Sequence, residues 1–79
     1  MALTPKWAEE IRMEMARALV KHSHRTAINP RVQNNDKLNW LVEEVGEVAR
    51  AINDKESVPR LKEELIQVAA IATAWWQSL

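Results

Sequence analysis

The sequence predicts an all-α fold: a three-helix chain that forms a four-helix-bundle-type core through oligomerisation. Apolar residues recur at i, i+3, i+4 and i+7 in three stretches, the spacing of amphipathic helices. No stretch alternates apolar and polar residues with period two, so no strand is expected. The chain has 79 residues, 47% of them apolar, which makes one domain over 1–79. So short a chain buries only about 60% of its unfolded surface, and its core is marginal unless further copies cover it.

The first helix is expected over 5–25. Thr4 is placed to cap it and Pro5 to occupy its first position. Glu9 and Glu10 come early and Lys21 and Arg25 late, as the helix macrodipole favours. Trp7, Ile11, Met15, Ala18, Leu19 and His22 form one stripe, which sets His22 in or beside the core. The asparagines and proline of 26–35 mark a loop.

The second helix is expected over 36–53, capped by Asn35 or Asp36. Its stripe is Leu38, Leu41, Val42, Val45, Val48, Ala49 and Ile52. Gly46, the single glycine, interrupts it at a cost of about 1 kcal/mol relative to Ala. Either another helix approaches closely there, or a surface position tolerates the glycine. The third helix is expected over 58–77, with Ser57 as cap and Pro59 in the first turn. Leu61, Leu65, Val68, Ala72, Trp75, Trp76 and Leu79 make its stripe. Trp75 and Trp76 diverge by about 100° and cannot share one face. Ala69, Ala70, Ala72 and Ala74 keep the helix small enough for close contact with another copy.

Charge excludes some partners. Eleven basic and eleven acidic residues balance, so no global field draws in a nucleic acid polymer or an anionic membrane. The absence of cysteine removes disulfides and thiolate metal sites and fits a reducing compartment. The longest small-apolar run, 68–76, is too short to span a bilayer, and no secretory leader is visible. The expectation is a soluble, cytoplasmic chain. Between Met15 and Asn35 there is no acid; that stretch carries Arg17, Lys21, Arg25 and Arg31 with His22 and His24.

The acids concentrate in two clusters: Glu43-Glu44-Val45-Gly46-Glu47 and Glu63-Glu64-Leu65-Ile66-Gln67. Residues three apart share a helix face, so Glu44 pairs with Glu47 and Glu64 with Gln67. The short connection over 53–57 makes the second and third helices antiparallel. In that register Glu44 is level with Gln67, and Glu47 with Glu64. Three carboxylates and one amide oxygen converge, a set that suits a hard divalent cation. Two carboxylates about 5 Å apart repel by roughly 3 kcal/mol at an effective dielectric of about 20. Such a cluster calls for cations or raised pKa values. Trp40 and Ile71 continue the same faces and wall one end of the site.

The segment from Leu41 to Ala49, with its Glu43-Glu44-x-x-Glu47 core, resembles the EExxE motif of the MazG-like all-α nucleoside triphosphate pyrophosphohydrolases. The segment around Glu64 and Gln67 resembles the partner ExxD motif. The resemblance covers 35–79 well and the first helix only loosely. It implies a helical bundle built from homodimers or homotetramers. It also implies Mg²⁺, with Mn²⁺ as a substitute, and hydrolysis of an NTP or dNTP to the monophosphate and pyrophosphate. By position, Glu44, Glu47 and Glu64 would be metal ligands. Gln67 stands where the family pattern has Asp and would be a neutral ligand. Glu43 and Glu47 would orient or deprotonate the attacking water.

A triphosphate reaches a carboxylate cluster only through bridging cations, which agrees with that chemistry. Lys21, Arg25, Arg31 and Lys37 are candidate phosphate partners, and Trp40 a wall for the substrate. His22 and His24, two apart, diverge on a helix and make a poor metal pair. No Ser-His-Asp spacing and no glycine-rich phosphate loop occur. Two other classes stay open: a catalytically weak relative that binds nucleotide or metal, marked by Gln67, and a structural helical oligomerisation module whose acidic faces pair with basic ones across subunits.

Overall fold

The computed structural model describes residues 3–79. Three helices follow one another: α1 Lys6–His22, α2 Asn34–Asn53 and α3 Val58–Ser78. No strand occurs among the described residues.

The helix ends explain the boundaries. Pro5 takes the cap position of α1, and its carbonyl accepts from the Ala8 and Glu9 amides at 3.0 and 3.2 Å. No side chain caps this end, so Thr4 does not act as expected. The helix stops at His22, short of Arg25, because Ser23 turns to φ 56° and donates its amide to the Leu19 carbonyl at 2.9 Å. In the loop, Asn29 donates to the His24 carbonyl at 2.8 Å and accepts from the Arg31 amide at 3.0 Å. Asparagine commonly closes turns in this way. α2 starts at Asn34 with Gln33 in the cap position, ahead of the expected Asn35 or Asp36.

α2 ends in a Schellman motif. The Glu56 amide donates to the Ala51 carbonyl at 3.0 Å and the Lys55 amide to the Ile52 carbonyl at 3.1 Å. Lys55 holds the left-handed position, φ 55°, that glycine usually fills. Ser57 then caps α3 as expected, its hydroxyl accepting from the Arg60 amide at 3.3 Å. Pro59 lies in the first turn.

α3 is the central element: it packs against both α2 and α1, whereas α1 and α2 do not pack on each other. Two hydrogen bonds fasten the open end of the α2–α3 hairpin, each joining residues 41 apart. Lys37 Nζ donates to Ser78 Oγ at 2.6 Å, and Trp75 Nε1 donates to Asn34 Oδ1 at 2.9 Å. They join the start of α2 to the end of α3, so the hairpin is antiparallel as expected.

The described chain is a slab of 38 × 37 × 20 Å, about two helix diameters thick. Its radius of gyration, 13.2 Å, exceeds the roughly 12 Å of a compact domain this long. Among the described residues, the buried apolar side chains are all alanines: Ala27, Ala51, Ala70 and Ala74. Ala70 and Ala74 therefore serve close packing within the chain, not the contact between copies expected of them; Ala72 is exposed.

The expected stripe of α2 splits. Leu41 and Val48 are half-buried, but Leu38, Val42, Val45 and Ile52 are 47 to 60% exposed. The face turned inward carries Lys37, Trp40, Glu44 and Ala51 instead. On α1, Ile11, Met15 and Ala18 turn inward, whereas Trp7, Leu19 and His22 are exposed, against the expectation for His22. Gly46 faces open space, since an added Cβ would meet nothing within 4 Å. No helix among the described residues is long and apolar enough to cross a membrane.

Candidate active site

Because α1 and α2 meet α3 but not each other, a cleft opens between them with α3 as its floor. Its volume is about 820 Å³. Glu43, Glu44 and Trp40 form the α2 wall; Glu14, Arg17, Lys21 and His22 belong to the α1 wall. Gln67, Ala70, Ile71 and Ala74 belong to the α3 floor, and Arg25 and Thr26 of the α1–α2 loop also line the cleft. The small alanines leave the floor low, which gives the cleft its depth.

Glu44 and Gln67 share this cleft, consistent with their expected level placement. Glu64 does not line it; it is buried to 3% exposure. One carboxylate oxygen of Glu64 meets Arg60 at 2.7 Å, and the other, Oε2, has no hydrogen-bond partner. Glu44 Oε2 is likewise buried without a partner. Orphaned carboxylate oxygens are costly. The Glu44 carboxyl is accordingly held above the ordinary glutamate range, first by burial, then by the charges of Glu64, Glu47, Glu14 and Glu43.

Glu47 points its carboxylate at Arg50, 2.8 Å away, and does not line the cleft. Among the described residues, no three His, Asp or Glu side chains already form a metal cage. The donor set nevertheless fits a hard cation. One buried oxygen on each of Glu44 and Glu64 lacks a partner, and Glu47 is held only by an exposed ion pair, worth about 0–1 kcal/mol.

The expected substrate residues divide. Arg25 lies 5.6 Å from the centre of the Trp40 ring, a cation–π distance, and both line the cleft with Lys21. Arg31 and Lys37 do not line it. Lys37 is corrected outright as a phosphate partner: it is 1% exposed and spends its ammonium on Ser78, so no phosphate reaches it.

Glu14 and Thr26 are polar cleft residues that the sequence reading missed. Glu14 is one turn from Ile11 and from Ala18, on the inward face of α1, and that spacing could have revealed it. Thr26 is 7% exposed with an unpartnered hydroxyl; its loop position carried no periodic signal.

The sequence model of the MazG nucleotide pyrophosphohydrolase domain matches residues 33–74. That is more than half of the chain, and the protein belongs to this family. The matched span holds α2, the connection and most of α3, the elements that carry both acidic motifs. No curated protein and no solved structure matches the chain.

Proposed function

We propose that this chain is a Mg²⁺-dependent nucleoside triphosphate pyrophosphohydrolase, which releases pyrophosphate and a nucleoside monophosphate. One observation carries the reading: Glu44, in the wall of a cleft also lined by Lys21 and Arg25, and the buried Glu64 each hold a buried carboxylate oxygen with no partner. Nothing in the folded chain satisfies those oxygens, so a ligand with positive charge is favoured there.

Glu44, Glu47 and Glu64 would hold the cation, with the Gln67 amide oxygen as a neutral donor, and Mn²⁺ would substitute. The bound ion would neutralise phosphate charge and acidify a coordinated water. Glu43, in the cleft wall beside Glu44, accepts the proton of the attacking water or orients it; Glu47 is the alternative base. Lys21 and Arg25 offset charge on the phosphates, and Trp40 offers a flat apolar face to the nucleoside.

The working unit is a homodimer or homotetramer. The outward face of α2 supports this: Leu38, Val42, Val45 and Ile52 repeat at alternating spacings of four, three and seven, the pattern of a helix-pairing seam. A second copy seated there would supply the layer the slab lacks.

The test is a panel of canonical and modified NTPs and dNTPs with Mg²⁺, scored for pyrophosphate and orthophosphate separately. Pyrophosphate from at least one nucleotide is expected. Orthophosphate alone, or no metal-dependent product from any nucleotide, would refute the activity.

A further inference from the structure

Arg12, Arg17, Arg50 and Arg60 each pair with a glutamate on their own helix. Arg25 does not; among the described residues no carboxylate reaches it. Its guanidinium lies instead over the Trp40 ring, 5.6 Å from the ring centre. Arg25 is exposed, in the α1–α2 loop, and Trp40 is half-buried on α2. Both line the cleft, so their contact belongs to its lining. An exposed cation–π contact is weak. A nucleobase stacked on an aromatic ring is held more strongly, and every base has a face to offer. A stacked base centres at least about 4.5 Å from the indole centre, close to where the guanidinium lies. Base and Arg25 therefore compete for one face of Trp40.

We propose that Arg25 covers, in the free chain, the Trp40 face that a nucleoside takes, and that an arriving base displaces it towards the phosphates. This rests on the reading that the cleft takes a nucleoside phosphate. Arginine suits both places, because its planar guanidinium stacks on aromatic faces and also binds phosphate through two parallel hydrogen bonds. Leaving the ring breaks no ion pair among the described residues. A bare nucleoside must displace Arg25 and offers it nothing in return. A nucleotide displaces the same side chain and takes it up again on phosphate. Arg25 is thus a specificity-determining residue, which sharpens the preference for phosphorylated over unphosphorylated nucleosides.

The experiment is a titration of the full chain with the common ribo- and deoxyribonucleosides and their monophosphates, with Mg²⁺ present throughout. Binding is followed by the Trp40 indole N–H resonance, which Trp40→Phe identifies. Arg25→Gln should bind at least one nucleoside about two- to fivefold more tightly, because the ring face is already clear. In the same variant the advantage of the monophosphate over its nucleoside should fall about tenfold. Arg31→Gln removes a cation from the same loop outside the cleft and should change neither value. Weaker or unchanged nucleoside binding in Arg25→Gln would overturn the proposal, since Arg25 would then clamp the base or stand apart from it. Equal gains for nucleoside and monophosphate would overturn the transfer to phosphate. If no nucleoside and no monophosphate moves the Trp40 resonance of the unaltered chain, the proposal falls, while pyrophosphate release, measured separately, still decides the activity.

Discussion

Lys37 Nζ donates to Ser78 Oγ at 2.6 Å, and that hydroxyl in turn donates to the Trp75 carbonyl at 2.6 Å. A buried ammonium is thereby set against the last turn of α3, where the helix dipole favours positive charge. The contact explains how α2 tolerates lysine at its most buried position.

Removing one partner should cost more than removing the charge. Ser78→Ala leaves Lys37 buried without its hydroxyl and should destabilise the fold by about 1–3 kcal/mol. Lys37→Met keeps the packing volume and should be neutral or stabilising. Chemical denaturation of both variants checks the ordering, and a larger loss in Lys37→Met would contradict it. Because Lys37 lies outside the cleft, Lys37→Met should also retain pyrophosphate release.

Glu44 gives the metal-free chain an unusual response to acid. Its carboxyl is raised above the ordinary range by burial and neighbouring carboxylates, so the folded state binds its proton more readily than the unfolded state. The stability tied to this group is full below the unfolded glutamate value and is lost as pH rises through the folded one. Melting without divalent metal should therefore show this contribution shrinking as pH rises above the ordinary glutamate range. Glu44→Gln should melt higher at neutral pH and lose that part of the dependence. An unchanged pH profile in Glu44→Gln would show that another group governs it.

Catalysis should follow the same carboxylates. Glu44→Gln or Glu64→Gln should lower pyrophosphate release by about a hundredfold, the scale of losing one electrostatic contact in a preorganised site. Helical circular dichroism should be preserved. Full turnover in either variant would remove that residue from the site.

Two backbone positions should accept stabilising changes. Lys55, at φ 55°, bears a left-handed conformation that costs a side-chain-bearing residue about 1–2 kcal/mol. Lys55→Gly should recover up to about 1 kcal/mol after the greater entropy of unfolded glycine is set against it. Gly46→Ala adds a methyl into open space and should gain roughly 0.5–1 kcal/mol from helix propensity. Lower melting in Gly46→Ala would reveal a close neighbour supplied by a second copy.

The outward seam of α2 should govern assembly. Val42→Asp or Val45→Lys puts a charge on an exposed apolar stripe and should shift light scattering towards the 9.1 kDa monomer. If the unaltered chain is already a stable monomer at micromolar concentration, the homo-oligomer is refuted.

The helix number, the hairpin direction and the Ser57 cap were legible because each depends on local periodicity or capping chemistry. That Glu44 and Gln67 line one cleft agrees with the register that the short connection implies. The inward face of α2 was not. Periodicity locates an apolar stripe but does not say whether its partner is α3 or another copy, and here Val42, Val45 and Ile52 turn outward. Lys37 read as a surface cation because its acceptor, Ser78, is 41 residues away. Glu14 was overlooked because the clusters drew attention to α2 and α3, while α1 enters the site only through tertiary packing.

α1 packs on α3 and not on α2, and this orders events during synthesis. A chain made from its N-terminus completes α1 while the only helix α1 rests on has yet to be translated. α2 is then made without a partner, and both wait for α3 to unite them. Neither the cleft nor the buried carboxylates exist in a nascent chain that stops at Asn53, so an unfinished copy has no pocket in which to sequester ions or nucleotides.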